Sequence, residues 1–427
     1  MPNSSQYYSV SPRIVPAGSA ARISVRPLFG HVAFQEDETL QAMLVPCEGT
    51  AGQMSRGERE RVEVRVRGGA LEIPCQFGGE QEYLLALERQ GRPLAEFRLF
   101  ALEADLFARR PYKGDFHLHT HYSDGVESPA YVAAACRKIG MDFMAITDHG
   151  QYKPSLEAMR AFAGLEIDLR IYPGEEVHPP ENPVHMLNFG GSFSINEQFA
   201  GEEYRRGVER IAAGLADFPA GFDRYAYASC VWCFEQIRAG GGVGVFCHPY
   251  WFARQRYDVP LALTDQLFAR QPYDALELIG GYHRIEIESN TLQVARYHEE
   301  RANGKRIPIV GVSDSHGCET GALFGWYYTI TFAASTDLPD LAGAIRELYS
   351  VAVEALPGET ARAYGPFRLV RYAQFLMREI LPAHDALCQE EGRLMLAHAA
   401  GDTGAAAALE GLKGRAARLF ERDWGAA

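Results

Sequence analysis

Two kinds of hydrophobic spacing divide this chain. From its start to about residue 112, apolar and polar positions alternate. Ala21-Arg-Ile-Ser-Val-Arg and Arg61-Val-Glu-Val-Arg-Val-Arg67 are the clearest runs, and a period of two is that of a half-buried strand. Gly68-Gly69 then reads as a turn, and Arg89-Gln-Gly-Arg-Pro93 joins two apolar-rich runs as a hairpin would. Short strands separated by Gly and Pro turns predict an N-terminal β-sandwich-like domain over residues 1–112.

After Pro111 the pattern changes. Short apolar runs at residues 115–119, 143–149, 170–177, 185–190, 242–249, 275–280 and 307–316 alternate with amphipathic stretches. They are too short and too evenly apolar for surface helices, and read as strands buried on both faces of a parallel sheet. Residues 129–140, with Pro near the start and Gly at the end, predict a crossover helix. Seven such strands over residues 113–350 predict an α/β fold, a closed or nearly closed β/α barrel. Residues 351–427 form a C-terminal helical extension in this reading. An apolar stripe over residues 368–380 ends at Pro382, a second helix runs to about Ala400, and a third covers residues 405–424. The stripe is expected to pack on the barrel or on a second copy of the chain, giving a homo-oligomer.

Composition narrows the class. The 427 residues are 47% apolar and 23% charged, the balance of a globular protein, which excludes disordered and collagen-like chains. No apolar run of about 18 residues occurs, so no membrane span is expected. Met1-Pro-Asn-Ser-Ser-Gln-Tyr-Tyr carries no export signal, and the expected location is cytoplasmic. Asp and Glu outnumber Lys and Arg by 55 to 42, a net charge of −13, with no basic run longer than a pair. Such a surface repels phosphate backbones, so nucleic acid is not the expected partner; a small phosphorylated molecule is. The eight scattered cysteines read as free buried thiols. The lone Cys230-Val-Trp-Cys233 lacks the second pair of a zinc knuckle. Gly240-Gly-Gly-Val-Gly244 precedes its strand and so reads as a turn rather than a phosphate loop. His31, His384 and His398 fall outside the barrel and are expected to be structural or surface residues without partners.

The chemistry lies where histidines and acids fall. Of thirteen histidines, six stand at predicted strand ends. The first strand gives His117-Leu-His119 followed by Ser123-Asp124-Gly125; the second, Ile146-Thr-Asp-His149; the third, Pro173-Gly-Glu-Glu-Val177. His185 opens the fourth, Cys247-His-Pro249 ends the fifth, and Ser313-Asp-Ser-His316 ends the seventh. Alternate strand residues share a side, so His117 and His119 can converge on one ion. Cys247, beside His248, is expected to face away into the core. Imidazole and carboxylate suit Zn, Mn or Fe. Packing does not demand imidazole at each mouth position, and that is where β/α-barrel active sites lie.

The ordered series HxH with SDG, TDH, GxE, an isolated His, HP and SDxH resembles the PHP (polymerase and histidinol phosphatase) superfamily over roughly residues 113–320. The resemblance implies a distorted (β/α)7 barrel with two or three divalent ions. It places one ion on His117, His119, Glu176 and Asp314, with Glu176 bridging to a second on His185 and His248. Asp124, His149 and His316 would hold a third. Glu176 is preferred to Glu175 because Gly174 sets the Gly-x-Glu register. His121 offers a third same-side imidazole but is expected near the ions rather than on them.

Two ions about 3.5–4 Å apart lower the pKa of a bridging water, making hydroxide available at neutral pH. Asp314 is the expected residue to orient that water or accept its proton, and His283 the candidate acid for the leaving oxygen. Arg254 and Lys153 are candidate phosphate clamps. The expected function is a polynuclear metal-dependent hydrolase, a phosphoesterase acting on a small phosphate ester. The alternatives are hydrolysis of a non-phosphate ester, amide or carbamate, and a non-catalytic metal-binding domain.

Overall fold

The N-terminal alternation becomes strands closed by left-handed turns. Gln81–Arg89 and Arg92–Leu102 pair antiparallel across Gln90-Gly91, both at positive φ, the tight turn that matches strand twist. Arg61–Arg65 precedes the Gly68-Gly69 turn, again with both residues at positive φ. The computed structural model describes residues 4–48, 61–215, 217–218, 222–253, 255–320 and 323–425. These divide into two compact units, residues 1–110 with 378–380 and 414–427, and residues 111–377 with 381–413.

In the first unit, one sheet takes Tyr8–Ser11, Ala20–Pro27 and Leu71–Gln76, and a second takes Ile14–Pro16, Arg92–Leu102, Gln81–Arg89, Thr39–Pro46 and Arg61–Arg65. Inward residues of both, among them Val25, Ile73, Leu85 and Phe97, form one buried cluster. Burying each such side chain contributes about 1.5–3 kcal/mol.

The second unit is mixed α/β and built on curled sheets. Arg170–Tyr172, Phe143–Ala145 and Arg110–Asp115 run parallel. Tyr327–Ala333, Ser350–Glu354 and Arg362–Tyr364 extend that sheet, each of these antiparallel to the next. The other sheet is Gly174–Val177, Met186–Phe189, Val243–Phe246, Ala275–Gly280 and Ile309–Val312.

Here the all-parallel expectation fails. Met186–Phe189 runs antiparallel to both neighbours. The link from Val177 to Met186 is eight residues, shorter than the dozen or so a parallel crossover needs. The expected third strand is also two strands, Arg170–Tyr172 and Gly174–Val177, in different sheets with Pro173 between them. Single parallel bridges at Leu118–Ser315 and His149–Glu176 link the two sheets where the strands end.

The crossover helix forms at Pro129–Lys138, capped by the Ser128 hydroxyl accepting from the Tyr131 N–H at 3.3 Å. The C-terminal stripe belongs to Phe367–Glu379, where Leu369, Tyr372, Phe375 and Leu376 are buried, and Tyr372 stacks on Phe332 at 5.3 Å. That stripe is therefore covered by its own chain rather than left for a second copy. Pro382 sits at the second residue of the next helix, Leu381–Ala399. A Cβ on Gly392 would stand 2.2 Å from the Lys138 backbone N, so glycine lets this helix lie directly on the crossover helix. The expected third helix is two, Ala405–Glu410 and Arg415–Asp423, interrupted at Gly411–Gly414.

Candidate metal centre

Each strand end delivers its chemistry to one place. His117 and His119 lie just beyond Arg110–Asp115, and the Leu118–Ser315 bridge keeps them extended, so both rings turn the same way. Gly125 of the Ser-Asp-Gly motif packs on them, since a Cβ there would fall 2.5 Å from the His119 carbonyl oxygen. Gly174 is needed for a like reason, with Ile146 O 3.0 Å from where its Cβ would be. His248 and Asp314 hold φ of 23° and 53°, a region non-glycine residues seldom occupy away from functional sites.

Glu176 is at the centre and fully buried. Its Oε1 is 2.9 Å from His185 Nδ1, 3.4 Å from His248 Nε2 and 3.6 Å from His117 Nε2. Its Oε2 is 2.5 Å from His149 Nδ1, 3.4 Å from His178 Nε2 and 3.6 Å from His119 Nε2. Asp314 Oδ1 sits 2.9 Å from His119 Nε2 and 3.1 Å from His117 Nε2. Asp124 lies 3.3 Å from His316 and 3.4 Å from His149. Glu175 faces the other way, its carboxylate accepting from Ser194 Oγ at 2.7 Å, Asn196 Nδ2 at 2.8 Å and Asn188 Nδ2 at 3.2 Å.

Acids and imidazoles set one another's charge here. Burial alone would push the Glu176 carboxyl up; the rings of His185 and His117 outweigh it and hold the group well below the usual range. Asp314 is likewise depressed against its burial, by His117 and His119. Burial would lower His149, but the Glu176 carboxylate 2.5 Å away raises it to about 9. Despite this proximity, His117 Nε2, both Glu176 oxygens and His185 Nδ1 are buried without a hydrogen bond. Orphaned lone pairs this costly to bury mark a place where something else satisfies them. The donor set fits divalent Zn, Mn or Fe.

Overlapping groups bring their ligand atoms within 4.8 Å of one another, among them His119, Asp124, His149 and His316; His149, Glu176, His178 and His185; His117, Glu176 and His248; and His117, His119 and Asp314. The nine residues read from the sequence as ligands thus meet at one mouth.

His178 and Glu277 join them unforeseen. His178 had a legible signal, since it stands two residues after Glu176 and so shares its side. Glu277 had none: it lies inside Ala275–Gly280, and only the packing of strands puts its Oε2 3.0 Å from His117 Nδ1. Cys247 is buried as expected, yet it falls in a group with His117 and Glu277, so it lies against the site rather than away from it. Its thiol is pushed far up by burial.

His121 is exposed, its Nδ1 donating to the Glu127 carbonyl at 3.3 Å. Lys153 is exposed at the first residue of Lys153–Ala161. His283 is exposed at the start of the turn Arg284–Glu286, its backbone N–H donating to Glu286 Oε2 at 3.1 Å. Arg254 lies outside the described residues. His384, expected without partners, is buried with its Nε2 2.9 Å from Asp142. The Cys230 and Cys233 thiols are buried in Arg224–Ala239, and all eight cysteines are free, though Cys47 is exposed and Cys318 half-buried.

A curled α/β sheet whose strand ends gather imidazoles around a buried carboxylate is the architecture of one metallohydrolase class. Residues 115–228 match the PHP domain, and this part of the chain is of the PHP superfamily. It is 42% identical over 282 residues to the DNA polymerase/3'-5' exonuclease PolX of Bacillus subtilis, in a match covering 59% of this chain and 44% of PolX. The chain therefore spans less than half the length of that relative. An uncharacterized protein of Methanocaldococcus jannaschii is 26% identical over 189 residues, covering 42% of this chain and 87% of that one. Among solved structures, a two-domain Bacteroides vulgatus protein containing a predicted PHP-like metal-dependent phosphoesterase is 15% identical, with a TM-score of 0.44 over 64% of this chain and 71% of that one. An amidohydrolase from Chromobacterium violaceum with bound sulfate and no metal is 19% identical, with a TM-score of 0.30 over 48% of this chain and 88% of that one. Among the described residues, no helix is long and apolar enough to cross a membrane.

Proposed function

We propose that the protein is a metal-dependent phosphoesterase acting on a small phosphate ester. The observation that carries this is the buried Glu176 carboxylate, with both oxygens lacking a hydrogen bond and six imidazole nitrogens within 3.6 Å. His117, His119, Glu176 and Asp314 would hold one ion, Glu176, His185 and His248 a second, and Asp124, His149 and His316 a third. Divalent ions supply Lewis acidity there, acidifying water and neutralising charge that builds on a phosphoryl group. Asp314, charged and facing the mouth, orients the attacking water and accepts its proton. His178, half-exposed and 2.9 Å from His149, takes the place expected of His283 and is placed to protonate the leaving oxygen.

The test is elemental analysis joined to a phosphate-release screen on metal-replete protein, with aryl esters and carbamates alongside aryl phosphates. Release of phosphate alone supports the reading; hydrolysis confined to carboxylic esters or carbamates overturns it. The PolX match favours a second reading, cleavage of a 3'-terminal phosphodiester. The net charge of −13 weighs against a long nucleic-acid track, and loss of terminal nucleotides from a labelled oligonucleotide would decide for it.

A further inference from the structure

The chain around His248 carries more than a ligand needs. Between His248 and the helix Leu261–Arg270 it forms a small hairpin, Phe252–Ala253 against Arg256–Tyr257. Trp251 stands at its base. Its N–H donates to the His248 carbonyl at 3.0 Å, and its carbonyl accepts from the Asp258 N–H at 2.9 Å. The indole lies 6.1 Å from the His248 ring and 6.4 Å from the His185 ring, centroid to centroid. It is nevertheless 37% exposed, and Phe252 beside it 54%.

A flat π surface, tied by its backbone to a ligand residue and open on one side, loses little entropy when another ring lies on it.

We propose that Trp251 determines specificity by stacking on a planar aromatic group of the substrate, an aryl ring or a nucleobase, and so presents the ester to the ions. The inference rests on the phosphoesterase reading and narrows it to phosphate esters with an aromatic leaving side, as against alkyl or polyol phosphates.

The experiment compares phenyl phosphate, adenosine 5'-monophosphate and glycerol phosphate on the metal-replete full chain. In Trp251→Leu, the ratio of kcat/KM for an aromatic ester to that for glycerol phosphate falls about tenfold, carried by KM, the size expected of one lost stacking contact. Trp251→Phe restores most of it. Which aromatic ester falls further tells an aryl ring from a nucleobase. An unchanged ratio in Trp251→Leu overturns the proposal. Phenylphosphonate, which is not hydrolysed, gives an independent readout: it quenches indole fluorescence in the wild type and less so in Trp251→Leu. Quenching that is the same in both proteins also overturns the stacking. Absence of phosphate release from all three esters overturns the phosphoesterase reading alone, because the quenching still reports on the ring.

Discussion

Glu277 Oε2 lies 3.0 Å from His117 Nδ1, and neither side chain has any exposed surface. A carboxylate on one ring nitrogen fixes the tautomer, so the other nitrogen, Nε2, presents a lone pair to the cluster. Glu277 is thus a positioning residue, acting through His117. Glu277→Gln should weaken divalent-metal affinity about 10–100-fold, measured by competition with a chromophoric chelator. Unchanged affinity would mean that packing alone orients the ring.

Asp314 and His119 meet at 2.9 Å within the cluster. Asp314→Asn keeps the shape but removes the charge and the proposed proton acceptor, and His119→Ala removes a proposed ligand. Each should lower kcat by about 10²–10⁴-fold while far-ultraviolet circular dichroism stays as in the wild type. Wild-type turnover in either variant would place the site elsewhere.

Six imidazoles and a carboxylate held this close should bind cations in the folded chain better than in the unfolded one. A saturating ion at about 1,000 times its Kd adds about 4 kcal/mol. Exhaustive chelation should therefore lower Tm by several degrees and abolish turnover, and Zn, Mn or Fe should restore both. Calorimetry on stripped and reloaded protein checks this, and equal Tm values would exclude a shared ion site.

A buried pair far from this chemistry sets a pH window. Burial would raise the Asp142 carboxyl, but the charged His384 ring 2.9 Å away and Arg137 hold it at about 2. His384 is held well above its ordinary value, the bond to Asp142 outweighing burial. The depressed acid contributes about 2 kcal/mol that is present above its unfolded value of 3.8 and is lost as pH falls toward 2. The raised base contributes stability that is complete below 6.5 and declines as pH climbs through its folded value. Urea unfolding should show the widest gap between the wild type and His384→Gln near pH 5–6. A gap that does not shrink toward pH 3 would contradict the pair.

The sequence by itself determined the kinds of residue and their order: which strands end in imidazole, and that Arg89-Gln-Gly-Arg-Pro93 joins two strands as a hairpin, whereas alternation alone did not choose between Glu175 and Glu176. These are local matters, since alternation and turn chemistry depend on near neighbours. Tertiary structure decided what lies beside what. The eight-residue link that reverses Met186–Phe189, the carboxylate of Glu277 behind His117, Cys247 against that same ring and the partners of His384 all join segments far apart along the chain. Periodicity tells which residues share a side of one strand; which strand comes next is settled only when the sheets curl and close.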